Sequence, residues 1–225
     1  EARKATGQKY KGESTFIEWS ANRIVLPWIN EEASISNAVV IEAFGITSAL
    51  RGLKHTRPDG VSVRPDVGLV DDPQTRESAK SPSQSQTRLE ILTGDIAYLA
   101  GPGEAMPVFC PCTVIYEGDL ADQILDREKH PEWQGSRTKM VESFPTNMEK
   151  WDEYADILRD SLRSDGDATP ATEFYGENRE LMDAGAVVSW EARYRDDELS
   201  AIQHAMNLRI RDEAAFYAEC QNEPR

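Results

Sequence analysis

Apolar and polar positions alternate along the first third of the chain at the period of half-buried strands. Residues 14–20 (STFIEWS) put Phe16 on one phase and Ile17 and Trp19 on the other. Residues 23–26 (RIVL) follow after a turn at Ala21 and Asn22, so the two runs predict a hairpin. Residues 38–44 (AVVIEAF), rich in β-branched side chains, predict a third strand beyond a polar loop over 27–37. The turn signal Pro58, Asp59, Gly60 predicts a protruding hairpin within residues 51–64.

The pattern then changes. Residues 67–70 (VGLV) and 106–115 (MPVFCPCTVI) are continuous apolar runs, which predict central strands buried on both faces, as in a parallel sheet. Residues 76–86 read either as a Ser/Gln-rich linker or as a helix start: Ser81 before Pro82, with Gln84 three residues on, has the pattern of a capping box. The second reading predicts a helix over 82–99 with Leu89, Leu92, Ile96 and Leu99 inward, ended by Gly101, Pro102 and Gly103. Asp119 is placed to cap a helix burying Leu120, Ile124 and Leu125, and residues 138–144 (TKMVESF) predict another strand. Such alternation predicts an α/β fold with a largely parallel sheet flanked by helices. The last third is helical in pattern. Asn147 caps a run with Trp151, Tyr154, Leu158 and Leu162 inward. Thr169 and Pro170 start a second run with Phe174, Leu181 and Met182, and two more carry Leu199, Ile202 and Met206, then Phe216 and Tyr217. The expected division is a core over 1–145 and a helical subdomain over 146–225.

Charge narrows the function classes. Lys and Arg total 25 against 40 Asp and Glu, a formal net charge of -15 over 225 residues. That sign opposes a protein that coats nucleic acid by displacing counterions. Only residues 51–64, with Arg51, Lys54, His55, Arg57 and Arg64, form a basic stretch suited to local contact with phosphate. Hydrophobic residues make up 39%, enough for a buried core, and no run approaches the ~20 apolar residues of a membrane helix. The polar, basic start (EARKATGQKYKG) does not have the pattern of a secretory signal, and three cysteines fit a reducing compartment. Cys110 and Cys112 are too closely spaced for a zinc knuckle and read as alternating strand positions.

The sharpest chemical feature is the apolar run at 67–70 that delivers Asp71 and Asp72. A hydrophobic strand ending in two carboxylates is the plan of a Walker B element. There, one carboxylate serves Mg²⁺ near the β- and γ-phosphates, and the other orients or deprotonates the attacking water. The competing reading is an acidic pair that caps the following turn. The partner motif, G-x-x-x-x-G-K-[ST], does not occur in the sequence.

Four longer blocks go further: residues 66–84 (DVGLVDDPQTRESAKSPSQ), 111–122 (PCTVIYEGDLAD), 126–135 (DREKHPEWQG) and 215–224 (AFYAECQNEP). Together they resemble the large terminase subunit of tailed bacteriophages, over almost the whole chain from Tyr10 onward. That family packages viral DNA into an empty capsid with an N-terminal P-loop ATPase and a C-terminal RNase H-like nuclease. The resemblance implies a P-loop NTPase-like fold. It also implies that this chain, which begins at Glu1, is the back part of the ATPase domain, with the phosphate loop upstream and the endonuclease downstream.

The resemblance also implies roles. Asp71 matches the Walker B aspartate that holds Mg²⁺. Asp72 stands where most members carry a catalytic glutamate, one methylene longer. Thr113 matches the coupling motif that senses the γ-phosphate, against the alternative of an ordinary strand-end Thr. Arg51, in residues 45–52 (GITSALRG), matches an arginine that acts across subunits as a finger, against the alternatives of a free surface Arg or a salt bridge to the acidic body. The implied cofactors are ATP and Mg²⁺. The implied partners are double-stranded phage DNA, the portal protein, the small terminase subunit and further large-subunit copies in a ring, in the cytoplasm of the infected bacterial host. A catalytically incomplete acidic interaction domain, or a relic of a P-loop ATPase, is the reading from a different class.

Overall fold

The computed structural model describes residues 7–29, 31, 34 and 37–225. The loop expected over 27–37 falls partly outside these residues. The chain divides into two compact units, one of Glu1–Gln74 with Gln86–Pro111 and one of Thr75–Ser85 with Cys112–Arg225. The boundary expected at 145 falls inside the second unit. The molecule mixes helices with small sheets, as an α/β pattern requires.

The first unit opens with the hairpin of β1 (Lys9–Tyr10) and β2 (Glu13–Ser14). Next, β3 (Glu18–Trp19), β4 (Arg23–Val25) and β5 (Val40–Glu42) form the antiparallel sheet that the alternation predicts, with Trp19 opposite Ile24 and Ile24 opposite Ile41. Val25 lies in the core, whereas Trp19 and Ile41 on the other face are exposed. The expected basic hairpin forms from β6 (His55–Thr56) and β7 (Ser62–Val63). Its turn is closed by the Arg57 N–H donating to the Val61 carbonyl at 2.9 Å, with Gly60 at φ +83°, where an L side chain would be strained.

The central strands depart from expectation. β8 (Gly68–Leu69) and β9 (Val108–Phe109) do pair in parallel, with Leu69 opposite Phe109. Among the described residues this is the one parallel pairing, and every other sheet is antiparallel. The pair is not buried on both faces: Leu69 is 72% and Phe109 61% exposed. Prolines explain the shortness of β9. Pro107 and Pro111 bracket it, accept from β8 through their carbonyls and have no N–H to donate back, so the ladder between the two strands is incomplete at both ends.

Between β8 and β9 run α1 (Arg76–Ala79), α2 (Pro82–Glu90) and a π-helical turn at Ile91–Ile96. Leu89, Leu92 and Ile96 are buried as the spacing predicts. A reciprocal capping box not read from the sequence joins Thr75 and Ser78 at the start of α1. At Ser81 the hydroxyl lies 3.2 Å from that of Ser83.

The second unit carries α3 (Leu120–Ile124), capped by Asp119 as expected. It continues with β10 (Val141–Ser143), α4 (Met148–Ser164), α5 (Thr169–Asp183), β11 (Val187–Val188), α6 (Ala201–Arg211) and α7 (Glu213–Glu219). Asn147 caps α4, and Trp151, Tyr154, Leu158, Ala171, Tyr175, Met182, Ile202 and Met206 form one core cluster. On α5 the inward positions are Ala171, Tyr175 and Met182, while Leu181 is exposed. No described helix is long and apolar enough to cross a membrane.

Candidate functional site

Asp71 and Asp72 emerge where β8 ends. The ladder with the neighbouring strand is regular: Gly68 N–H donates to the Pro107 carbonyl at 3.0 Å, Val70 N–H to Phe109 at 2.8 Å and Asp72 N–H to Pro111 at 3.0 Å. Both aspartates are therefore held by a parallel pair at its C-terminal edge, the position at which parallel sheets collect ligands. The next residue is fixed too, because Arg88 Nε donates to the Pro73 carbonyl at 3.0 Å. Both aspartates are exposed, and neither carboxylate has an ion pair or a side-chain hydrogen bond among the described residues. The helix that follows is capped by Thr75. Asp72 has φ +41°, the left-handed region that Asp and Asn tolerate better than most residues.

Arg51 lies in a turn of the same unit with its side chain 82% exposed. It is engaged: Nε and Nη2 both donate to Asp95 Oδ1, at 2.7 Å and 2.6 Å. The structure therefore brings Arg51 to Asp95, the salt bridge weighed as an alternative. Thr113 is half-buried and belongs to the second unit, just ahead of the buried Val114. There Val114 N–H donates to Asn222 Oδ1 at 3.1 Å, which ties the segment after Thr113 to the 221–224 block.

A Mg²⁺ ion delivered with nucleotide needs only one or two protein carboxylates, because water and phosphate oxygens fill the remaining octahedral positions. Two adjacent, unpaired carboxylates on a rigid strand end fit that demand. No group of three or more His, Cys, Asp or Glu suited to a bare metal ion occurs among the described residues.

Sequence reasoning missed Asp95 and Tyr98. Both lie in or just past the π-helical turn, and together with Arg51 and Arg64 they line an open depression of about 340 Å³. A single π-helical turn of six residues is too short to show its own periodicity, so the sequence carried no signal for it. Comparisons of the chain with protein-family models, curated proteins and solved structures give no match.

Proposed function

We propose that the chain is part of the ATPase motor of a viral terminase large subunit, which couples ATP hydrolysis to translocation of phage DNA into the capsid. One observation carries this reading: the parallel pair β8–β9 presents Asp71 and Asp72 unpaired at its C-terminal edge. Asp71 would hold the Mg²⁺ of bound ATP, and Asp72 would orient the attacking water. Arg51 would reach a neighbouring subunit's nucleotide after leaving Asp95, and Thr113 would relay the state of the γ-phosphate. The finer architecture, a P-loop NTPase-like sheet of which β8 and β9 are two strands, belongs to the same proposal. So do the partners: phage DNA, the portal, the small terminase subunit and further copies in a ring, in the cytoplasm of the infected bacterium. A phosphate loop must be supplied from outside these 225 residues.

A second reading, an acidic interaction domain without catalysis, is favoured by the net charge of -15 and by the bare apolar face at Leu69 and Phe109. Substitution in the full-length parent separates the two. Asp71→Asn should weaken Mg²⁺-dependent ATP binding and abolish turnover, while Asp72→Asn should keep binding and stop turnover. Parental turnover in Asp72→Asn would remove Asp72 from the water site, and a parent that lacks ATPase activity would favour the second reading.

A further inference from the structure

The depression beside Arg51 is built differently from an ordinary solvated surface. Its wall carries two guanidinium groups, Arg51 and Arg64, one carboxylate, Asp95, and the ring of Tyr98, which is 73% exposed. Arg51 is satisfied by Asp95. Arg64 has no ion pair and no side-chain hydrogen bond among the described residues. In a chain with 40 acidic residues against 25 basic ones, an arginine without a carboxylate partner and beside a second arginine is a departure from the average surface.

Arg64 is also positioned. Its stem lies across Gly101, where an added Cβ would stand 3.1 Å from Arg64 Cδ and 3.3 Å from Nε. Gly101 itself has φ +106°, which L side chains rarely adopt. Glycine is thus required twice over at this point, for its backbone and for the seat it gives the arginine. The π-helical turn Ile91–Ile96 contributes Gly94 and Asp95 to the lining. An added Cβ at Gly94 or Gly52 would meet nothing within 4 Å, so the space immediately beside both is open.

The formal charge of the wall, from Arg51, Arg64 and Asp95, is positive. A guanidinium fork matches two phosphate oxygens, and an exposed aromatic ring offers a stacking face to a base. The volume of about 340 Å³ is at the lower end of small-ligand sites. We propose that this depression is a mononucleotide site: Arg64 holds the phosphate, Tyr98 stacks on the base, and Asp95 restrains affinity by occupying Arg51. It needs no Mg²⁺ and no phosphate loop, and it stands apart from Asp71 and Asp72.

The test titrates the isotope-labelled chain with AMP, and separately with inorganic pyrophosphate, in the presence of a chelator. The amide resonances of Gly52, Gly94 and Tyr98 are followed. AMP should shift these resonances with a Kd of about 1 mM, the weak regime of a small open site. Arg64→Ala should weaken AMP roughly tenfold, and Arg64→Lys should restore part of that loss. Tyr98→Ala should weaken AMP severalfold but leave pyrophosphate unchanged. Asp95→Asn should tighten both ligands about three- to tenfold, because it removes a repelling charge and frees Arg51. Misfolding cannot mimic that gain. The chelator excludes Mg²⁺-dependent binding at the aspartates, which keeps this outcome distinct from the fate of the nucleotide reading there. The proposal is overturned if AMP causes no shifts, if Arg64→Ala binds like the parent, or if Asp95→Asn fails to tighten binding. It is equally overturned if a short single-stranded oligonucleotide binds at least tenfold more tightly through the same residues, since the occupant is then a strand.

Discussion

Asp72 joins backbone and chemistry in one residue. Its φ of +41° places it where a short polar side chain is tolerated and a longer one is strained. That gives a physical reason for aspartate rather than glutamate at the proposed water-orienting position. Asp72→Glu should therefore lower the stability of the chain by about 1 kcal/mol, whereas Asp72→Asn should leave it unchanged. Urea unfolding midpoints of the three proteins would test this, and equal midpoints for Asp72 and Glu would dismiss the strain. Gln221 is the second instructive residue. It is buried, its Oε1 accepts from Val141 N–H at 2.8 Å, and its Nε2 donates to the Val141 carbonyl at 2.9 Å. Gln221 thus completes the outer edge of β10 in place of a strand. Gln221→Leu keeps the volume but orphans two buried backbone groups, which should destabilise by about 2–4 kcal/mol. A thermal midpoint within a degree of the parent's would contradict it.

At the scale of elements, the helices were legible and the central sheet was not. Asn147, Ser200 and Asp212 cap α4, α6 and α7 through side-chain oxygens, and Asp119 does the same for α3. Caps and 3.6-residue spacing are local signals, so they survive in the sequence. The strands depend on partners far along the chain. The runs at 67–70 and 106–115 looked buried on both faces, yet their pairing leaves Leu69 and Phe109 bare. Periodicity cannot distinguish a covered strand from one whose second face stays open. Of the candidate site, the strand delivering Asp71 and Asp72 was legible, as was the basic hairpin. The Arg51–Asp95 pair, 44 residues apart, was open only as an unassigned alternative. The core of the second unit adds a pH dependence. Trp151, Tyr154 and Tyr175 pack together, and the Tyr175 hydroxyl meets Asp183 at 2.8 Å and Ser200 at 2.5 Å. Burial, first of all, pushes the Tyr175 phenol well above its ordinary value, and burial raises Tyr154 as well. A phenol raised in the folded state stabilises it fully below the unfolded value near 10, and that contribution is lost as pH rises above it. Stability should therefore fall above about pH 10, and Tyr175→Phe should fall less steeply there. Parallel pH curves for the two proteins would sink this assignment.

At the scale of the whole molecule, the two units exchange the chain repeatedly, at 74/75, 85/86 and 111/112. Asp71, Asp72 and Arg51 belong to one unit and Thr113 to the other, so the proposed roles are spread over both. Within its unit, Arg51 pairs with Asp95 rather than with the aspartates, and its side chain is largely exposed. A surface ion pair of this kind is worth only about 0–1 kcal/mol, so an incoming phosphate displaces Asp95 at little expense. An arginine that serves its own subunit would be expected to face the strand end that carries Asp71 and Asp72. One that serves a neighbour needs exposure and an exchangeable partner, which describes Arg51. Supplied from a partner, such a guanidinium is worth roughly 10³–10⁵ in rate. Under the proposed motor reading, Arg51→Ala in a full-length protein that hydrolyses ATP should then nearly abolish turnover while nucleotide affinity stays close to normal. Mixing decides between the arrangements. Arg51→Ala subunits retain an intact phosphate site, and Asp72→Asn subunits retain the arginine. If Arg51 acts across subunits, mixed assemblies regain turnover that neither variant has alone, because half of the interfaces in an alternating ring unite an intact site with an intact arginine. If mixed assemblies form and remain inactive, Arg51 acts within its own subunit, and its pairing with Asp95 is structural.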